Sequence, residues 1–161
     1  FVMTKVKKKF IHTMNLLPKL NFPPIKLRAR EHNGRTEVFD SVRGFYVVLT
    51  PEEWVRRHLV EYLMSHCGVP RLSIVEEYPV EVNSMAQRAD VVVLDSEARP
   101  LILVECKATD VNLGQDVLLQ AARYNAVVQA PYVIVTNGLM HYCYEISAEG
   151  YTPRSEFPKF R

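Results

Sequence analysis

Apolar positions along this chain fall into blocks whose spacing changes from one element to the next. Arg43-Gly-Phe-Tyr-Val-Val-Leu49 is dense in β-branched and aromatic residues and predicts a strand. Thr50-Pro51-Glu52-Glu53 then reads as a helix start. Thr50 suits the N-cap, Pro51 the first helical position, and Glu53 completes a capping box. Trp54, Val55, Leu59, Tyr62 and Leu63 continue at helical spacing towards Cys67-Gly68. Arg71–Val82 predicts a strand bent at Pro79. Val91-Val-Val-Leu94 and Leu101-Ile-Leu-Val104 do not alternate with polar residues, so they predict central strands buried on both faces. Residues 114–128 have helical pattern, and Tyr132–Thr136 predicts another buried strand. Asn137-Gly138 is a hairpin signal, with Met140–Ile146 as the return strand. The order is strand, helix, three strands, helix, two strands. It predicts an α/β fold with a mixed central sheet flanked by helices.

Three prolines (Pro18, Pro23, Pro24) make residues 14–30 an expected extended arm. The expected organisation is a basic arm over 1–39, one domain over 40–150 and a tail over 151–161. Residues 1–13 are an expected non-native leader, with Met14 as the natural start. Composition adds an asymmetry. Residues 1–30 hold eight Lys/Arg and no acid, whereas residues 31–161 hold twelve Lys/Arg against eighteen Asp/Glu. A basic arm suits a polyanion, but solvated terminal charge is the more ordinary explanation. No apolar run approaches the roughly 18 residues of a membrane span. No membrane partner is expected, and a cytoplasmic location is. Cys67, Cys106 and Cys143 are widely spaced and fit reduced thiols better than a zinc site.

Two carboxylates stand at the ends of the most apolar strands. A tight connection centred on Glu97-Ala98 pairs Ser96 with Arg99 or Asp95 with Pro100. Either register carries through to put Asp90 opposite Glu105. Carboxylates so placed repel unless a cation intervenes or one takes a proton. Lys107, two residues beyond Glu105, shares its face. Oxygen ligands of this kind suit Mg²⁺ or Mn²⁺, and a nearby lysine orients water and stabilises charge on a phosphate. An ordinary strand-end salt bridge accounts for the same spacing.

Arg88-Ala-Asp90 followed by Val104-Glu105-Cys106-Lys107 resembles the core of the PD-(D/E)xK nuclease superfamily. With Thr50-Pro-Glu-Glu-Trp-Val-Arg56, Gln120-Ala-Ala-Arg-Tyr124 and Thr136-Asn137-Gly138, the chain resembles the N-terminal nuclease domain of type I restriction enzyme R subunits. It is similar in particular to small stand-alone proteins of that family. The resemblance covers roughly 40–150 and implies a restriction-endonuclease-like core with Mg²⁺-dependent hydrolysis of DNA. It implies metal ligands at Asp90, Glu105, the Cys106 backbone carbonyl and Glu53, with Glu52 as second choice on the first helix. It further implies catalytic roles for Lys107, Gln120 and Tyr124. Arg88 and Arg123 would contact nucleic acid. The proline of the PD motif is replaced by Ala89, and no GxxxxGK[ST] loop is present, so no nucleotide cofactor is expected. Expected partners are DNA and further subunits or a second copy. A nucleic-acid-binding or assembly module that cuts little by itself is the alternative.

Overall fold

A local signal and a long-range one meet at the first helix. In the computed structural model, which describes residues 16–161, α1 (Pro51–Ser65) begins where Thr50 Oγ1 accepts a hydrogen bond from the Glu53 N–H at 3.0 Å. Only half of the expected capping box forms. The Thr50 N–H donates to the Val48 carbonyl instead, and the Glu53 carboxylate is engaged elsewhere. Val55, Leu59 and Leu63 line the buried side of α1, and Trp54 donates its indole N–H to the Pro18 carbonyl at 2.9 Å. His58 is buried against Trp54 and shares a hydrogen bond with its carbonyl.

A six-stranded mixed sheet lies between α1 and α2 (Gln115–Val128). Its order is β4 (Ile74–Val82), β5 (Met85–Leu94), β6 (Pro100–Cys106), β7 (Tyr132–Thr136), β8 (His141–Ser147) and β9 (Gly150–Arg154). All neighbours are antiparallel except β6 and β7, the pair joined across α2. Val91, Val93, Ile102, Val104 and Ile134 pack towards α1. Val92, Leu103, Val133 and Val135 pack towards Val117, Ala121, Tyr124 and Val128 of α2. Both faces of the central strands are therefore covered, as their unbroken apolar runs predict.

The β5–β6 register matches the expectation by an unexpected route. The turn is a three-residue loop: the Asp95 N–H bonds to the Arg99 carbonyl at 2.8 Å, and Ala98 takes a positive φ of 60°. The ladder then slips at Leu94↔Pro100 and resumes at Val93↔Ile102, Val92↔Leu103 and Val91↔Val104. That slip restores the offset that puts Asp90 next to Glu105. In β4 the irregularity falls at Glu77, with φ 53°, rather than at Pro79.

Two expectations are corrected. Residues 29–40 form strands rather than arm: β1 (Ala29–His32) and β2 (Arg35–Asp40) turn at Asn33-Gly34, and β3 (Phe45–Val48) completes a separate three-stranded sheet. Residues 16–28 form no strand, in line with the expected extended arm, and they are docked on the core. Leu20 is buried, and the Asn21 N–H donates to the Gly138 carbonyl at 2.7 Å. Gly138 has φ +84°, and a Cβ there would lie 2.8 Å from the Leu20 side chain, so both the turn and the contact require glycine. The tail is also docked: β9 pairs with β8, Phe157 and Phe160 pack on the α1 core, and the Phe160 N–H donates to the Cys67 carbonyl. The expected leader at 1–13 lies outside the described residues.

Candidate active site

The ladder between β5 and β6 stops at Val91↔Val104, and side chains take over where the strands part. The Asp90 N–H donates to Glu105 Oε1 at 3.3 Å, and Asp90 Oδ2 accepts from the Cys106 N–H at 2.7 Å. Asp90 and Glu105 are thus cross-strand neighbours. Ala89 and Val92 belong to the α2-side core while Val91 belongs to the α1 side, so the in-out alternation breaks at Asp90. That break turns Asp90 towards α1, where Arg56 Nη2 lies 3.1 Å from Oδ1. The pair sits on central strands and not at a sheet edge. Glu105 is only 3% exposed.

Burial, and next the charge of Asp90, push the Glu105 carboxyl up to about 8. Burial also raises Asp90, against the opposing pull of the Arg56 guanidinium and the Cys106 N–H. A carboxyl whose pKa is higher folded than unfolded stabilises the fold below its ordinary value, 4.5 for Glu105. That contribution disappears as pH rises through about 8. The difference in melting temperature between the metal-free wild type and Glu105→Gln should therefore shift steadily against the wild type from about pH 5 to about pH 8. A pH-independent difference would mean that Glu105 ionises normally.

Lys107 follows the end of β6, half-buried, with its N–H on the Thr136 carbonyl at 2.8 Å. Its ammonium makes no ion pair within 4.0 Å among the described residues. It donates to Gln120 Oε1 at 3.2 Å. Gln120 in turn donates to Tyr124 Oη at 3.3 Å, and the Tyr124 hydroxyl reaches Gln87 Oε1 at 3.5 Å. The one-turn spacing of Gln120 and Tyr124 places both on the α2 face that meets the sheet, so the structure joins them to Lys107. Cys106 is fully buried in the α1-side core, where burial raises its thiol pKa well above the ordinary value, as suits a packing residue. Arg88 and Arg123 are exposed and form no ion pair among the described residues.

Glu53 does not join this group. Its carboxylate lies 2.9 Å from Arg57 Nε and 3.7 Å from Arg43 Nη2, in a buried cluster with Asp40 and Glu76. Arg57 also binds Asp40 at 2.9 Å and contacts Glu76. The Arg57 guanidinium thus lies against all three buried carboxylates and supplies the positive charge that a metal would otherwise bring. Glu52, the second choice, is the one that senses the site: burial first, and then the charge of Asp90, raise its pKa. The residue that sequence reasoning missed is Arg56. It is 5% exposed and bridges Glu77 at 2.6 Å, Asp90 at 3.1 Å and Glu52 at 3.6 Å. Arg56 also lies 3.7 Å from Glu53, so it links the Asp90 site to the cluster that Arg57 holds, and nothing local distinguishes the two adjacent arginines. Cavities of about 370 and 550 Å³ are lined mainly by tail, arm and outer-strand residues and not by these carboxylates.

A mixed sheet between two helices, with clustered carboxylates and a lysine at the end of a central strand, defines an α/β protein with an acidic site. The chain belongs to the family described as type I restriction enzyme R protein N terminus, whose profile matches residues 51–158. A solved fragment of an HsdR subunit of a type I restriction enzyme from Vibrio vulnificus YJ016 superposes with a TM-score of 0.54 at 21% identity, a likeness of fold. That match covers 69% of this chain and 24% of the other, so the chain spans about a quarter of that solved fragment. No curated protein matches. No helix among the described residues is long and apolar enough to cross a membrane.

Proposed function

We propose that the chain is a Mg²⁺- or Mn²⁺-dependent DNA phosphodiesterase module of a restriction system. The observation that carries this reading is the separation of Lys107 from its carboxylate neighbours. A structural lysine beside Asp90 and Glu105 would close onto them. Here the ammonium is held on the neutral Gln120, close enough to lower the pKa of both acids and still free to meet a phosphate. The donor set fits a hard divalent cation: two adjacent carboxylates, one pushed up to about 8 by burial and then by the charge of the other. Asp90, Glu105 and the Cys106 carbonyl would hold the ion, which supplies Lewis-acid neutralisation of the scissile phosphate. Lys107 orients the attacking water and stabilises charge as it develops on the phosphate oxygens. Gln120, steadied by Tyr124, fixes the ammonium. Glu52 replaces Glu53 as the acid on α1 facing this group, and Arg88 and Arg123 offer exposed charge to the DNA backbone.

One observation favours a second reading, a module that binds or assembles but cuts little alone. Arg56 already lies on Asp90, so a cation must compete with a guanidinium there. Millimolar Mn²⁺ should raise the melting temperature of the wild type and leave that of Asp90→Asn unchanged, because the ion relieves repulsion between the two acids. Cleavage of linear, circular and single-stranded DNA with Mg²⁺, Mn²⁺ or EDTA completes the test. A folded protein with no thermal shift and no cleavage supports the assembly module. Partner subunits or a second copy of the chain belong to either reading.

A further inference from the structure

The three-stranded sheet has an outer face that no helix covers and that the active-site reading does not use. From residue 25 onward the chain alternates strictly. Lys26, Arg28 and Arg30 are exposed, while Ile25, Leu27 and Ala29 are partly buried, with Leu27 packed on the main core. The Phe39 N–H donates to the Arg28 carbonyl at 2.7 Å, so Arg28 extends the β1–β2 ladder one residue beyond Ala29↔Val38. Phe39 pairs with Tyr46 in turn. Arg28, Arg30, Arg35, Phe39 and Tyr46 therefore share one face.

The guanidiniums on this face are held in place. That of Arg28 lies 4.7 Å from the Phe39 ring centre and 5.7 Å from that of Tyr46, and that of Arg30 lies 4.0 Å above Tyr46. Arg28 Nε donates to the Tyr46 hydroxyl at 3.0 Å, leaving both terminal nitrogens without a partner among the described residues. Arg30 pairs with Glu37 through Nε alone. Stacking on an aromatic ring removes side-chain freedom before any ligand arrives, so less is lost on binding. Fixed guanidinium edges in a row along a strand suit phosphate oxygens.

The same sheet is anchored to the acidic site. Asp40, next to Phe39 on β2 and facing inward, is bound by Arg57, which also holds Glu76 on β4. The next residue, Arg56, holds Asp90. A ligand lying across Arg28 and Arg30 is thus placed at a set distance from Asp90 and Glu105 by a buried network.

We propose that this face is a sequence-independent docking surface for the phosphate backbone of DNA, remote from the carboxylate site. The inference rests on the reading of DNA as substrate. Charge complementarity favours it: the face carries Lys26, Arg28, Arg30 and Arg35 against Glu37, whereas residues 31–161 as a whole carry more acid than base.

The test measures binding of a fluorescein-labelled DNA duplex by anisotropy, in EDTA, across a salt series. Arg28→Ala/Arg30→Ala is compared with Arg71→Ala/Arg161→Ala, which removes equal charge elsewhere. The docking variant should bind about tenfold more weakly near 0.1 M salt, and its log affinity should depend on log salt about two units less steeply. The control should bind like the wild type. Melting curves confirm that both are folded. Unchanged affinity and slope in the docking variant would overturn the inference, as would wild type that does not bind DNA. Loss of poly-L-glutamate binding in the docking variant without loss of DNA binding would point to an acidic protein and also overturn it. Cleavage with Mg²⁺ is scored separately. Wild type that cuts DNA while the docking variant binds normally retains the nuclease and loses the docking face. Wild type that binds through this face and cuts nothing does the reverse.

Discussion

Arg57→Met should lower the melting temperature by roughly 10–15 °C, one of the largest stability losses available to a single substitution in this chain. Arg57 is 4% exposed and is the shared cation of Asp40, Glu53 and Glu76, all buried. Its removal leaves three carboxylates facing one another in a region that water does not reach. Breaking such a cluster by deleting one partner costs about 3–5 kcal/mol, most of it the penalty of uncompensated buried charge. Asp40 keeps other support. Against burial, the Arg43 N–H, the Arg57 charge and the Arg43 side chain hold its carboxyl below the ordinary value. Glu76 has no comparable backing, since its only other cation among the described residues is Arg43 at 4.0 Å. Arg57→Met/Glu76→Leu should therefore recover a substantial part of the loss, measured as a coupling in a double-mutant cycle. A single variant that melts within about 3 °C of the wild type would show that the cluster takes up protons or water instead.

This network marks the boundary of what local sequence could reveal. The capping signal at Thr50-Pro51 is local and reads correctly, because the N-cap bond to Glu53 needs only three residues. The destination of the Glu53 side chain is set by Asp40, Arg57 and Glu76, which converge from β2, α1 and β4. A Glu that caps its own helix and one that enters a buried cluster look identical along the chain. The same limit explains Glu52. One residue earlier on α1, about 100° around the helix, is enough to turn it from that cluster towards Asp90.

Hairpins show a different kind of miss. Asn-Gly marks two places, Asn33-Gly34 and Asn137-Gly138. The first closes a two-residue turn with φ values of 48° and 74°, yet its flanking strands, Ala29–His32 and Arg35–Asp40, carry so many charged residues that the arm reads as unstructured. Apart from the buried Asp40, those charges are exposed or paired across the small sheet rather than buried in a core, so apolar density is the wrong signal for them. The second closes a four-residue loop between Thr136 and His141, where Asn137 Oδ1 accepts from the N–H groups of Leu139 and Met140. By contrast, the adjacency of Asp90 and Glu105 was legible. A slip at Leu94↔Pro100 offsets the odd loop length, and register along two long apolar strands is held by burial on both faces.

Lys107→Ala is expected to separate folding from chemistry at the proposed site. Among the described residues the half-buried side chain has one hydrogen bond, to Gln120, and no ion pair, so its loss leaves Gln120 with its contact to Tyr124. The melting temperature should move by no more than about 3 °C, the scale of one neutral-acceptor hydrogen bond near 1 kcal/mol. Metal-dependent cleavage should fall by about 100- to 1,000-fold, because a positioned cation acting on charge that develops in the transition state is worth about 3–4 kcal/mol. DNA affinity measured in EDTA should change by less than about threefold, since one of many phosphate contacts is removed. Gln120→Ala should reproduce a smaller part of the same loss: the ammonium remains but is free to close onto Asp90 or Glu105, whose charges it already senses. Its pH profile should shift as well, with Glu105 ionising at lower pH once Lys107 approaches. A Lys107→Ala protein that melts far below the wild type while its folded fraction cuts DNA at the original rate would make Lys107 a structural residue. The proposed chemistry would then have lost the group that distinguishes this site from a buried pair of acids.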